Sequence, residues 1–130
     1  MARPSSRHPT ELELEILKIL WREGPASGRQ VRDALAPFRD LAYTSVMTVL
    51  GIMVKKGYVR RTKQGGGFVY QAVIKEQHAT KRMFRDLVDR LFDGSAVAVM
   101  QHLIDTGDLD ADELKQLRTL LNRRSKEQGE

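Results

Sequence analysis

The stretch TSVMTVLGIMVKKGYVRRTKQGGGFVYQAV, Thr44 to Val73, decides the fold. Its first part carries apolar residues at the i, i+3, i+4 and i+7 spacing of a helix with one buried face, and Gly57 is placed to cap that helix. Those apolar residues are Val46, Val49, Leu50 and Met53. Two β-prone runs follow, Tyr58 to Lys63 and Phe68 to Val73, and the glycines between them permit a hairpin turn. The stretch therefore predicts a helix followed by a glycine-tipped hairpin.

Two amphipathic helices are predicted before this stretch, and each begins with a capping box, in which two residues three apart satisfy each other's free backbone donors. The pairs are Thr10 with Glu13 and Ser27 with Gln30. Pro25 stops the first helix and Pro37 the second. Helix, short helix, helix and hairpin is the order typical of a winged helix-turn-helix, in which the third helix enters the major groove of DNA.

The residues after the hairpin predict three more helices, at about Gln77 to Phe92, Ser95 to Asp105 and Ala111 to Arg124. Their apolar faces need more cover than about 55 residues can give themselves. A second copy of the chain would supply that cover, and a tail folded back on its own head is the alternative. The predicted dimerisation residues are Phe84, Leu87, Leu91, Val97, Met100, Leu103, Ile104, Leu114, Leu117 and Leu121.

The predicted fold class is therefore mainly α with a small β-hairpin wing: a winged helix-turn-helix followed by a C-terminal helical dimerisation tail. We expect a DNA-binding domain at residues 1–75 and a helical dimerisation domain at residues 76–130.

Positive charge is concentrated in the first of these domains. Residues 1–75 hold 13 basic and 6 acidic side chains, whereas residues 76–130 hold 9 and 11. Between Arg39 and Lys75 there are 7 basic residues and a single acid, Asp40. Such a surface binds phosphates, so we expect the first domain to meet double-stranded DNA and the second to meet protein.

The candidate DNA contacts lie on the third helix and the wing. Short hydroxyl side chains and Gly51 on the outer helix face would allow close approach to base edges or phosphates, although Thr44 could also be the N-cap. Basic residues are expected on phosphates, with Arg61 and Lys63 near the minor groove beside the wing. Tyr70 is expected to pack on its own sheet. The predicted set is Thr44, Ser45, Thr48, Gly51, Lys55, Lys56, Arg60, Arg61 and Lys63.

Other classes of function find little support in the sequence. The chain has no cysteine, its three histidines are too scattered for a metal site, and no glycine-rich phosphate motif precedes a helix. We therefore expect no catalytic residues, no metal and no cofactor. No apolar run approaches the roughly 20 residues of a spanning helix, and the first residues lack the apolar core of a signal peptide. We expect no membrane insertion and a cytoplasmic location.

Two other kinds of binding protein remain as alternatives. One is a winged-helix protein-interaction module whose basic charge is incidental. The other is a repressor gated by a small ligand, with an apolar pocket lined by Met83, Phe84, Phe92 and Met100, although such residues are usually core.

Four segments together resemble the BlaI/MecI-type, or penicillinase repressor, family of transcriptional regulators. They are ELEILKILW (Glu13 to Trp21), YTSVMTVLGIMVKKG (Tyr43 to Gly57), FDGS (Phe92 to Ser95) and LDADELKQLRTLL (Leu109 to Leu121). The resemblance runs from about Pro9 to Arg124. It implies a homodimeric repressor on an inverted-repeat operator, commonly of β-lactamase or related resistance genes, that is inactivated when a membrane sensor protease detects the drug.

The chain departs from the family pattern in two respects. Ile52 stands where relatives usually carry an arginine on the reading helix, so either the operator differs or Ile52 belongs to the core. Relatives that respond to copper sense it through tail cysteines, and their absence here excludes that form of metal sensing.

Overall fold

A computed structural model describes residues 8–129, which form six helices and three strands. In chain order the elements are α1 (Glu11–Glu23), β1 (Ala26–Ser27), α2 (Gly28–Leu35), α3 (Tyr43–Lys56), β2 (Val59–Gln64), β3 (Gly67–Ala72), α4 (Glu76–Phe92), α5 (Ala96–Asp105) and α6 (Ala111–Glu127). This mainly helical chain with a small antiparallel sheet confirms the predicted fold class.

The first two helices begin as their capping boxes predict. The backbone N–H of Glu13 donates to Thr10 Oγ1 at 3.2 Å, and Glu13 Oε1 accepts from the backbone N–H of Thr10 at 2.8 Å. Ser27 and Gln30 repeat the arrangement at 3.2 and 2.8 Å. Both helix starts are therefore fixed by side chains within one turn.

Helix α3 begins one residue earlier than the sequence suggested. Its N-cap is Ala42, which makes no side-chain capping bond, so the alternative role of Thr44 as N-cap is wrong. Thr44 is the second residue of the helix, and its carbonyl oxygen accepts a hydrogen bond from Thr48 Oγ1 at 3.0 Å. The helix ends as predicted at Gly57, which adopts the left-handed conformation with φ 80°.

The sheet has a third strand that the sequence did not reveal. The strand order is β1-β3-β2, all antiparallel, and Ala26 of β1 pairs with Tyr70 of β3. A two-residue strand is too short to produce an alternating pattern, so the sequence carries no signal for it. Tyr70 is buried in the core that the sheet shares with the helices, so it packs inside the domain as expected of an aromatic residue on this strand.

Helices α1, α2 and α3 and the sheet share one apolar core. Its fully buried members include Ile16 and Leu17 of α1, Val31 and Leu35 of α2, and Val46, Leu50 and Met53 of α3. The indole N–H of Trp21 donates to the carbonyl oxygen of Ile74 at 3.0 Å, which ties the end of α1 to the chain leaving the sheet. Helix α3 therefore has one face fully committed to packing.

A charged pair closes the edge of this core. Glu13 is only 3% exposed, and Lys56 Nζ lies 3.0 Å from each of its carboxylate oxygens. The ammonium also lies 5.7 Å from the centre of the Tyr58 ring. Since the same carboxylate closes the capping box of α1, Glu13 joins the beginning of α1 to the end of α3.

The chain divides into two compact units, the first ending at Phe84 and the second beginning at Arg85. Within the second unit, Ser95 caps α5, and Asp110 with Glu113 forms the capping box of α6. Neither α5 nor α6 contains a buried residue, and Val88 is the only buried hydrophobic residue described from Arg85 to Gly129. The helices of this unit are well specified locally but have almost no core.

Lys56→Met tests the charged pair. The substitution keeps most of the side-chain volume but leaves the Glu13 carboxylate buried without its counterion. Removal of one partner from a buried pair costs about 3–5 kcal/mol, and the partial exposure of Lys56 puts the expected loss in the free energy of unfolding near the low end. Urea denaturation measures it.

The control for this test is Lys55→Met, which removes the same charge from an exposed neighbour and should leave stability nearly unchanged. Addition of Glu13→Gln to Lys56→Met should recover much of the loss, because glutamine retains the capping box without a buried charge. If Lys56→Met is as stable as Lys55→Met, the pair does not hold the two helices together.

Alanine substitutions at Gly51 and at Gly57 should change the stability of the protein in opposite directions. A Cβ would meet no atom within 4 Å at either Gly51 or Gly57. Gly57→Ala should lower stability by about 1 kcal/mol because its φ is 80°, whereas Gly51→Ala should raise it by roughly 0.5–1 kcal/mol in the helix interior. Thermal melts of the two variants check the signs, and two shifts in the same direction would contradict this account.

Candidate nucleic-acid interface

The outer face of α3, defined here as Thr44, Ser45, Thr48, Gly51, Ile52 and Lys55, points away from the core. All but the half-buried Gly51 are exposed. Ile52 is 44% exposed, so it belongs to the outer face and not to the core. The predicted residues of α3 other than Lys56 thus lie together on one continuous surface, with Ile52 among them.

Four of the six residues of this surface are small: Thr44, Ser45, Thr48 and Gly51. The Thr48 hydroxyl turns back to the Thr44 carbonyl oxygen at 3.0 Å, so it lies close to the helix backbone. A Cβ on Gly51 would project into open space, so no contact within the described chain requires glycine there. Side chains in the middle of the outer face are therefore short enough for another surface to approach the helix backbone closely.

Two adjacent lysines at the end of α3 have different surroundings. Lys55 is exposed on the outer face, whereas Lys56 is half-buried and forms the ion pair with Glu13. Both lysines are predicted to contact phosphate, but their surroundings make this easier for one than for the other. Lys55 is free to reach a ligand, and Lys56 would have to leave a buried carboxylate to do so.

The predicted basic residues of the wing lie on two faces of the hairpin. Arg61 pairs in register with Tyr70, and Lys63 with Phe68, so both stand on the face whose inner part enters the core. The Arg61 guanidinium lies over the exposed Phe68 ring, 4.6 Å from its centre. Arg60 stands on the opposite face and donates to Gln71 Oε1 at 3.3 Å. The wing is therefore positively charged on both sides.

Two further arginines, outside the predicted set, contact the elements around α3. The Arg29 guanidinium lies over the ring of Tyr43, 5.3 Å from its centre. Arg39 Nε donates to Glu15 Oε2 at 2.6 Å, which ties the connection before α3 to α1. Neither contact follows from local periodicity, because each joins residues from different elements.

From residue 8 to residue 129, no group of three or more histidine, aspartate or glutamate side chains is arranged to hold a metal ion. Within the same range, no helix has the length and apolar character needed to cross a membrane.

The sequence model of the family described as penicillinase repressor matches residues 9–123. The transcriptional regulator BlaI of Mycobacterium tuberculosis is 34% identical over 113 residues, which cover 85% of this chain and 80% of the relative. The methicillin resistance regulatory protein MecI of Mammaliicoccus sciuri is 23% identical over 112 residues, 86% of this chain and 91% of the relative.

Two solved structures share the fold. A variant of MarR from E. coli complexed with operator DNA has a TM-score of 0.51 at 17% identity, covering 88% of this chain and 74% of that chain. The complex structure of hsRosR-S4 has a TM-score of 0.51 at 18% identity, covering 92% and 91%. Because the family model spans nearly all of the chain and BlaI is similar over most of its length, the chain belongs to the penicillinase repressor family of transcriptional regulators.

Proposed function

We propose that this protein is a transcriptional repressor that binds an inverted-repeat DNA operator as a homodimer. Residues 1–75 would bind the operator, and the helices of residues 76–130 would join two copies. The observation that carries the proposal is the outer face of α3, which is exposed apart from Gly51, consists mostly of small residues and has no acidic side chain.

Gly51 supports the proposal most directly. A glycine inside a helix costs roughly 0.5–1 kcal/mol relative to alanine, and no neighbour in the described chain requires it. A close approach by the edges of DNA bases would supply the missing reason, because a side chain at this position would hold the helix away from the groove floor. Thr44 and Thr48, on either side of that approach, carry hydroxyls that can contact bases or phosphates.

Ile52 gives the same surface an apolar position. The major groove presents one apolar group, the methyl of thymine, which apolar side chains recognise by contact. An exposed isoleucine beside Thr48 and Lys55 is suited to such a contact. We therefore propose that the operator has a thymine opposite Ile52, where an arginine would instead select guanine.

The electrostatics of the region fit a polyanionic partner. Between Arg39 and Lys75 seven basic residues accompany one acid. Four of them are exposed on the outer face of α3 and on the two faces of the wing: Lys55, Arg60, Arg61 and Lys63. Phosphate contacts of this kind make affinity fall steeply with salt. A winged-helix module that binds only protein would not need this concentration of charge.

The second unit supports the dimer part of the proposal. Seven of the ten predicted dimerisation residues are exposed in the single chain, and the other three, Met100, Leu103 and Leu117, are half-buried. Val97 is 77% exposed and Leu91 68%. A unit of this size with one buried hydrophobic residue does not have the core that a stable domain in water needs. A second copy would cover these faces symmetrically.

The family likeness extends the proposal to the biological circuit. The regulated genes would be β-lactamase or other resistance genes, in keeping with the names of the family and of MecI. Repression would take place in the cytoplasm and would end when a sensor protease inactivates the repressor.

The first prediction for this function concerns the outer face. A mobility-shift titration against fragments that include the gene's own upstream region should give selective binding to a dyad-symmetric site, weakened between 50 and 200 mM salt. Thr48→Ala with Lys55→Ala should reduce operator affinity at least roughly tenfold, since it removes a groove contact and a phosphate contact from each copy.

The matched control is Thr119→Ala with Lys115→Ala in α6. Thr119 Oγ1 donates to the Lys115 carbonyl oxygen at 3.1 Å, which reproduces the Thr48 bond to Thr44 on an exposed helix far along the chain. This control should leave affinity unchanged. Sequence-blind binding that neither variant alters would instead favour the protein-interaction module.

The second prediction concerns the dimer. Light scattering after gel filtration should give twice the mass of the chain for the native protein at micromolar concentration. Leu91→Asp with Val97→Asp should yield monomers, because two carboxylates would be buried in each copy of the interface.

Phe38→Asp is the control for the dimer test, since Phe38 is 73% exposed in the first unit and lies outside the predicted interface. It should remain dimeric. A native chain that runs as a monomer, or a Leu91→Asp and Val97→Asp variant that stays dimeric, would contradict the assignment of these helices.

A further inference from the structure

Arg29 and Tyr43 form a cation–π contact where α2 meets the first turn of α3. We infer that Arg29, held by the Tyr43 ring, binds a DNA phosphate at the side of the groove that α3 enters. This inference rests on the proposed function and adds a residue that no sequence pattern assigned to DNA. Tyr43 is a positioning residue in this account, because it acts through Arg29.

A close contact between two helices places the pair. Gly28, the first residue of α2, is buried, and a Cβ there would overlap Sδ of Met47 and lie 3.5 Å from Cε2 of Tyr43. Glycine therefore lets the start of α2 lie directly against the first turns of α3. The next residue is Arg29, whose guanidinium carbon lies 5.3 Å from the centre of the Tyr43 ring.

Arg29 is available to bind an anion. Its side chain is exposed, and among residues 8–129 no carboxylate forms an ion pair with it. The neighbouring arginines differ, since Arg32 pairs with Asp33 at 3.0 Å and Arg39 with Glu15 at 2.6 Å. The contact with the ring orients the guanidinium without consuming its five N–H donors. A phosphate would accept two of them in the bidentate geometry that arginine favours.

The position of the pair relative to the outer face determines what it can reach. Tyr43 and Met47 are one turn apart on α3, on the side that faces Gly28, and Thr44 and Thr48 are the residues next to them on the outer face. Phosphates line both sides of the groove into which that face would fit. Arg29 is an exposed cation beside the first turn, whereas Lys56 at the other end of the helix is held by Glu13.

The test compares Arg29→Ala with Arg32→Ala, which removes the same charge from the same helix. Affinities for the operator and for an unrelated duplex are measured over a series of salt concentrations. Arg29→Ala should weaken both affinities by the same factor, roughly tenfold, because phosphate contacts carry no sequence information. The slope of log K against log salt should fall by about 2 for a dimer with one such contact in each copy.

Tyr43 variants separate positioning from a structural effect. Tyr43→Leu should weaken binding in the native background and have no further effect in the Arg29→Ala background, whereas Tyr43→Phe, which keeps the ring, should bind as the native protein does. If Arg29→Ala keeps the affinity and salt slope of Arg32→Ala while the native protein binds its operator selectively, this inference fails and the proposed function stands. A native protein that binds no DNA overturns both.

Discussion

The structure of the first unit depends on a buried carboxylate that serves two helices. Glu13 caps α1 through Thr10 and forms the ion pair with Lys56 at the end of α3. An unpaired charge in this place would cost several kcal/mol, so the ion pair constrains where α3 can end relative to where α1 begins. Gly57 then turns the chain immediately after Lys56, and strand β2 of the wing begins at Val59. The ion pair and Gly57 together therefore set where the hairpin begins relative to α3.

The other end of α3 is fixed by packing instead of charge. Gly28 admits Met47 so closely that even one added methyl group would displace it. Between these two anchors, Val46, Leu50 and Met53 fill the core. Every residue that holds α3 in place therefore lies on its inner side or on its flanks. No residue of the outer face belongs to the buried core of the described chain, so these residues can vary to match a partner. An isoleucine can therefore occupy position 52 without disturbing the fold.

The sequence predicted those parts of the fold that arise from neighbours along the chain. Capping boxes at Thr10 and Ser27, the left-handed cap at Gly57 and the period of the apolar residues all act within one or two turns, and the structure confirms them.

The parts of the structure that the sequence could not predict depend on residues distant in sequence. The pair of Glu13 and Lys56 spans 43 positions, and the bond from Trp21 to Ile74 spans 53. For the same reason Lys55 and Lys56 look alike in the sequence, although one is exposed and the other is held by a carboxylate. The outer face was predictable because exposure follows from helical period. Arg29 was not, because its orientation comes from a ring on another helix.

The two units differ in how much of a core each has. The first has a complete core and could present the outer face of α3 by itself, whereas α5 and α6 bury no residue within one chain. In the proposed dimer, association would supply both the missing core of the tail and the second set of DNA contacts. Two half-sites bound by linked copies gain effective concentration, so operator affinity would depend on the tail even without any contact between the tail and DNA. Loss of the dimer would lower affinity by far more than the loss of any single contact on α3. It follows that an event which damages only the tail, such as cleavage by a protease, would end repression and leave the DNA-binding surface itself intact.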